Sequence, residues 1–157
     1  MRLATNDRTG VVVPPPLLFI GPFLIGWLVD RSVDGQLFEN PGWGLVLGPL
    51  LVAAGTVVAG DGVRQFRRAR TTVLPFGGTS RIVEAGIYRW TRNPMYVGMS
   101  LAYAGLSILI NSAWCLLLLP LSIVLVQVLV IRREERYLAD KFGAAYEGYC
   151  SRVRRWL

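Results

Sequence analysis

Two short polar motifs carry the residues that are best suited to bind a charged ligand. One is Arg92-Asn93-Pro94-Met95-Tyr96, with Tyr88 shortly before it, and the other is Glu134-Glu135. Asn is a favourable N-cap and Pro a favourable first helical residue, so Asn93-Pro94 predicts a helix start whose free N–H groups attract an anion. The two glutamates offer the opposite charge, which suits an ammonium, a sulfonium or ribose hydroxyls.

The side chains around these motifs suit the same kind of ligand. Tyr88 and Tyr96 present aromatic faces for a purine ring or a cation, and Arg89 and Arg92 reinforce the attraction for an anion. S-adenosylmethionine, with its carboxylate, amine, sulfonium and adenosine, would satisfy all of these groups together. Each feature also has a structural interpretation, because helix caps, aromatic belts and charges after a last helix are common in membrane proteins.

The motifs lie beside apolar runs that predict membrane helices. Of the 157 residues 53% are hydrophobic, and the mean hydropathy is +0.44. A helix needs about 20 apolar residues to cross a bilayer, and four runs approach that length: 11–29, 43–63, 94–110 and 113–131. The sequence predicts a single all-α integral membrane domain, 1–157, with about four transmembrane helices and a C-terminal cytoplasmic helix.

The third and fourth runs are separated only by Asn111-Ser112, which predicts a tight antiparallel hairpin. Its legs then bring both polar motifs to the same depth at the open end. We therefore expect the cofactor site to comprise residues 79–98 and 132–150. The polar loop 71–79 is either a lid over this site or a plain connector.

The basic residues predict the orientation of the chain in the membrane. Of the 17 Lys and Arg residues, only Arg31 lies in the loop between the first two runs. By the positive-inside rule, both termini and the 64–93 loop are cytoplasmic, and we expect a bacterial-type inner membrane. The first run lacks a small-residue cleavage site, which favours a retained anchor over a signal peptide. The net charge of +7 then reflects topology and lipid headgroups, with no nucleic-acid partner.

The chain has no histidine and two cysteines. The absence of histidine excludes histidine bases, His-ligated haem and the usual zinc sites, so we expect no metal and can name no catalytic base. Cys115 is predicted near the outer end of the fourth helix and Cys150 in the cytoplasmic C-terminal segment, so the two cannot pair within one chain.

The stretch from Arg81 to Gly98, RIVEAGIYRWTRNPMYVG, resembles the core motif of the integral-membrane methyltransferases. These include isoprenylcysteine carboxyl methyltransferase and the phospholipid N-methyltransferases. The C-terminal segment 134–156 also shows the family's order of residues: Glu134-Glu135, Leu138, Phe142-Gly143, Tyr146, Tyr149, Val153 and Trp156. The resemblance covers the chain from about residue 79 to the end, and the first two helices carry no motif.

The resemblance implies an S-adenosylmethionine-dependent methyltransferase that acts on a small hydrophobic or lipid acceptor within the membrane. Carried over position by position, it implies cofactor contacts at Arg81, Ile82, Val83, Tyr88, Arg92, Asn93, Pro94, Met95, Tyr96, Glu134 and Glu135. Two other classes stay open. One is a membrane reductase of the sterol-reductase type, whose C-terminal half is similar but binds NADPH, and the other is a non-catalytic membrane scaffold.

The chain departs from the prenylcysteine enzymes at two positions. Asn93 replaces their histidine and agrees with the phospholipid enzymes, and Val130 falls where they use an arginine for the substrate. Arg132 and Arg133 are close to that position but out of register. A prenylcysteine carboxylate is therefore not the expected acceptor.

Overall fold

The computed structural model describes residues 10–40, 42–70 and 80–157. Within these ranges the chain is mostly helical, and it forms two isolated bridges but no β-strand. The predicted all-α class is confirmed. The helices are α1 (Pro15–Asp30), α2 (Gly42–Arg68), α3 (Pro94–Leu109), α4 (Ala113–Leu117), α5 (Leu119–Val126), α6 (Arg132–Phe142) and α7 (Ala144–Arg152), with a 3₁₀ turn at Gly86–Arg89 and a π-helical turn at Gln127–Ile131.

Among the described residues, two helices are long and apolar enough to cross a membrane. One is α2, with 27 residues, and the other is the 30-residue helix Ala113–Phe142, in which α4, α5, the π turn and α6 follow one another. We call the latter the long helix. In contrast, α1 and α3 are apolar but have only 16 residues each, which corresponds to about 24 Å at 1.5 Å per residue.

The observed helices differ from the predicted ones at their ends. α1 begins only at Pro15, because the proline at its first position fits a helix start. α2 continues past the predicted end at residue 63 to Arg68, and two arginines in its last turn complement the helix dipole. The fourth predicted run does not end at residue 131, since the long helix continues to Phe142 and stops at Gly143, which has φ of 51°.

Glycines allow α2 and α3 to approach each other closely. A Cβ on Gly98 would lie 2.5 Å from the Gly55 carbonyl oxygen, and one on Gly48 would lie 2.9 Å from the Gly105 carbonyl oxygen. A larger residue at either position would push the two backbones apart. This contact holds the start of α3, and with it the first polar motif, against the last turns of α2.

The turn between α3 and α4 closes the other end of the hairpin with hydrogen bonds. Asn111 has φ of 57°, and its side-chain oxygen accepts hydrogen bonds from the N–H groups of Leu37 (3.1 Å) and Phe38 (3.0 Å). Its amide nitrogen donates to the Phe38 carbonyl at 3.0 Å. The polar atoms of this side chain are therefore satisfied by the protein itself.

Candidate cofactor site

The loop that leads into α3 is anchored on α2 by Asp61. One carboxylate oxygen of Asp61 accepts from the Ile87 N–H at 3.1 Å, and the other accepts from Gln65 Nε2 at 3.1 Å. Gly86 has φ of 62°, and a Cβ there would lie 2.9 Å from Asp61 Oδ2. Sequence reasoning missed Asp61, although it is the single acidic residue of α2, and an acidic residue in a membrane helix usually indicates function.

The start of α3 lies where the sequence predicts, but the Asn93 side chain does not cap it. Asn93 is the N-cap residue, yet its side chain makes no capping hydrogen bond. Its Nδ2 instead donates to the Arg155 carbonyl at 2.9 Å, and its backbone N–H donates to Thr91 Oγ1 at 3.1 Å. Pro94 and Met95 lie against Gly62 of α2. The predicted N-cap position is confirmed, but the side-chain cap is not formed, because the hydrogen bond from Nδ2 to the Arg155 carbonyl fixes the amide in another orientation.

Tyr96 and Glu134 join the two predicted halves of the site. The buried Tyr96 hydroxyl lies 3.1 Å from Glu134 Oε1 and 3.2 Å from Oε2, and donates to this carboxylate. Glu134 itself is half-buried. In the ranges that the structure describes, no arginine or lysine pairs with Glu134. Its negative charge is thus held by a neutral donor alone.

Tyr88 contributes a second hydroxyl to this region. Its side chain is only 4% exposed, and its hydroxyl has no hydrogen-bond partner within the described ranges. Burial and the neighbouring Tyr149, followed by the Glu134 carboxylate, raise the pKa of Tyr88, so the hydroxyl stays protonated as a donor. Buried polar groups without a partner are rare in folded proteins and call for one. This hydroxyl is therefore a candidate ligand contact.

Glu135 has very different surroundings from Glu134. It forms an ion pair with Arg92 at 3.2 Å, and Arg155 binds it through two parallel hydrogen bonds of 2.9 and 2.8 Å. The hydrogen bond to Glu135 raises the pKa of Arg155. Arg92 also donates to Cys150 Sγ at 2.6 Å. Arg92 and Glu135 border a groove of about 520 Å³ that Tyr146 also lines, and neither Glu134 nor Tyr96 lines it.

The remaining predicted residues lie in the segment 81–83, which packs against the C-terminal part of the chain. Ile82 packs against the buried cluster of Tyr146, Tyr149 and Val153, Val83 is buried and Arg81 is exposed. The Tyr149 hydroxyl donates to the Tyr88 carbonyl at 2.8 Å. This segment therefore packs onto α7 and the tail. The loop 71–79, predicted as a lid or a connector, lies outside the described residues.

The C-terminal tail makes contacts that sequence reasoning did not foresee. The Arg92 N–H donates to the Arg154 carbonyl at 2.9 Å, and Thr91 Oγ1 donates to the Arg155 carbonyl at 3.3 Å. The Trp156 indole N–H donates to Gln127 Oε1 in the π turn at 2.8 Å. Their partners are remote in sequence, so no local pattern could reveal them.

Comparison with known proteins identifies the family. No curated protein matches the chain, but the family model for phospholipid methyltransferase matches residues 43–145. The match covers about two thirds of the 157 residues and begins in α2, so it includes a helix in which the sequence showed no motif. It ends before the tail. With its membrane-length helices, the chain is an integral membrane methyltransferase that belongs to the phospholipid methyltransferase family.

Proposed function

We propose that the protein transfers a methyl group from S-adenosylmethionine to a small hydrophobic or lipid acceptor that enters from the bilayer. The observation that carries this proposal is the Glu134 carboxylate, which is held by Tyr96 and has no cationic partner in the described ranges. A half-buried carboxylate of this kind is stabilised by a ligand that brings positive charge or hydroxyl donors. The amine, sulfonium and ribose of the cofactor provide both.

The unpartnered Tyr88 hydroxyl supports the same ligand. It is a buried donor near Glu134, and it can hydrogen-bond to a carboxylate, a ribose oxygen or a ring nitrogen. When bound, the cofactor supplies an electrophilic methyl group. The protein's own part is to hold the reactants in line and to exclude water. The side chains suited to binding the cofactor are those of Tyr88, Tyr96 and Glu134. The apolar cluster beside Tyr96 is suited to excluding water.

The surroundings of Val130 favour an acceptor without a negative charge. Val130 is fully buried in a cluster that also contains Tyr96, Tyr103 and Ile131. A prenylcysteine carboxylate placed there would be left unpaired, at a cost of several kcal/mol. Such a cost weakens binding by on the order of a thousandfold. We therefore expect poor turnover of farnesylcysteine analogues and better turnover of a neutral or cationic hydrophobic acceptor. Efficient farnesylcysteine methylation that persists after Arg132→Ala and Arg133→Ala would contradict this.

Calorimetry on the purified protein in detergent tests the cofactor directly. We expect S-adenosylmethionine to bind and NADPH not to bind. Binding of NADPH alone would identify a reductase, and binding of neither would indicate a scaffold. Incubation of membranes with cofactor labelled in the methyl group, followed by mass spectrometry of extracted lipids, then identifies the acceptor.

We further propose that both termini and the loop 64–93 face the cytoplasm, on the basis of the uneven distribution of basic residues. Single-cysteine variants test this orientation in intact cells. A membrane-impermeant thiol reagent should label a cysteine at position 36 and not one at position 77. The reverse pattern would place the cofactor site on the outer side and contradict the proposal.

A further inference from the structure

We propose that the C-terminal tail, residues 153–156, positions Asn93 and the start of α3 relative to Glu134, so that Arg155 and Trp156 are positioning residues for the cofactor site. The proposal rests on the proposed function for its effect on cofactor binding. Its structural part, the order of residues 91–97 at the start of α3, is independent of the ligand. Neither residue lies within the part of the chain that the family model matches.

Three hydrogen bonds attach the loop before α3 to the tail. They run from the Arg92 N–H to the Arg154 carbonyl (2.9 Å), from Thr91 Oγ1 to the Arg155 carbonyl (3.3 Å) and from Asn93 Nδ2 to the same carbonyl (2.9 Å). Thr91 is 1% exposed and Asn93 9% exposed, so water cannot readily replace these bonds. Among the residues that the structure describes, the Asn93 side-chain amide is hydrogen-bonded only to the tail, because it does not cap its own helix.

Two side chains attach the tail in turn to the long helix. The Arg155 guanidinium donates two hydrogen bonds of 2.9 and 2.8 Å to the Glu135 carboxylate. This bidentate geometry fixes the orientation of the Arg155 side chain as well as its distance from Glu135. One residue later, the Trp156 indole donates to Gln127 in the π turn at 2.8 Å. The Arg155 carbonyl, which accepts the Asn93 hydrogen bond, therefore lies beside two side chains that bind the tail to the long helix, and this helix also carries Glu134.

This arrangement gives Glu135 a role in the site although its carboxylate is already fully hydrogen-bonded within the protein. Both oxygens of Glu135 are engaged by Arg155, and Arg92 approaches one of them at 3.2 Å. We infer that Glu135 holds the tail and that the cofactor contacts Glu134. The tail thus links the start of α3, and hence Tyr96, to the helix turn on which Glu134 lies. Loss of either anchor should loosen the Tyr96–Glu134 contact without removing a ligand contact.

Binding measurements on four variants of the full chain test the proposal. Arg155→Gln should weaken S-adenosylmethionine binding about tenfold and Trp156→Phe about threefold, since each loses a hydrogen-bonded anchor. Arg155→Lys, which keeps one charged contact to Glu135, should recover part of the loss. The matched control is Arg152→Gln, because Arg152 pairs with Glu84 at 2.8 Å and both side chains are exposed. An equal loss in the Arg155 and Arg152 variants would overturn the proposal.

A double-mutant cycle separates positioning from general destabilisation. If Arg155 acts through Asn93, Arg155→Gln should cost little further affinity in an Asn93→Ala background. A loss as large as in the wild-type background would contradict the mechanism.

Hydrogen exchange of the amides of residues 91–97, without cofactor, supplies a readout that needs no ligand. Exchange should become faster in Arg155→Gln and stay unchanged in Arg152→Gln. Unchanged exchange in Arg155→Gln would refute the tail's role, even if the cofactor binds. Faster exchange in a protein that does not bind S-adenosylmethionine would support the tail's role and refute the proposed function.

Discussion

The two glutamates at the start of α6 are neighbours in sequence, yet their surroundings are opposite. Consecutive side chains on a helix point about 100° apart, so Glu134 lies toward Tyr96 and Glu135 toward the tail. Glu135 is engaged by two guanidinium groups, whereas Glu134 receives a hydrogen bond from a neutral hydroxyl. An acid that the protein neutralises itself contributes to the fold, and one left without a countercharge remains free to bind a ligand.

The largest effect on binding is expected from Glu134→Ala. Removal of the unpaired carboxylate should weaken S-adenosylmethionine binding by about 1.5–3 kcal/mol, roughly ten- to a hundredfold. The stability of the ligand-free protein should change little, because the lost hydrogen bond from the buried Tyr96 hydroxyl is offset by removal of a half-buried carboxylate that has no cationic partner among the described residues. Calorimetry and thermal unfolding measure the two quantities. Glu147→Ala, at an exposed position of α7, is the matched control, and equal affinities for the two variants would remove Glu134 from the site.

Glu135→Ala should lower both the stability and the cofactor affinity, because it removes the same tail contact as Arg155→Gln and should weaken binding by a similar factor. It leaves Arg92 and Arg155 without their shared partner, and we expect the free energy of unfolding to fall by about 1–2 kcal/mol. Glu84→Ala is the control, since it removes a single ion pair whose side chains are 64% and 45% exposed, and should change stability by about 0.5 kcal/mol or less. If denaturant unfolding shows the same loss of unfolding free energy for both variants, Glu135 contributes no more to stability than an exposed glutamate does.

The smallest of these effects should come from Tyr88→Phe. The change removes only a hydroxyl that has no hydrogen-bond partner among the described residues, so stability should be kept while cofactor affinity falls about fivefold, or about 1 kcal/mol. Tyr149→Phe provides the contrast, because its hydroxyl is bonded to the Tyr88 carbonyl and its loss should lower the unfolding temperature. Unchanged affinity in Tyr88→Phe would show that the hydroxyl does not face the ligand.

The helices could be predicted from the sequence because apolar runs and helix-start residues are local signals. α3 begins at Pro94 and the turn lies at Asn111, as Asn-Pro and the short polar break indicate. The end of the fourth run could not be predicted from charge. Arg132 and Arg133 mark the end of apolar sequence, but they are good helix formers, so the backbone helix continues until Gly143 stops it.

By itself, the sequence determined the all-α membrane fold and the family, and it predicted which residue types face a cofactor, since composition, run length and motif spacing are readable along one chain. Only the tertiary structure decided that Glu134 and Glu135 have different surroundings, that the Asn93 amide binds a tail carbonyl and that Asp61 anchors the Gly86 turn. These contacts join residues that are 20 to 62 positions apart in the sequence. Their geometry depends on how helices pack and which hydrogen-bond partners remain within reach, and that is a property of the assembled bundle.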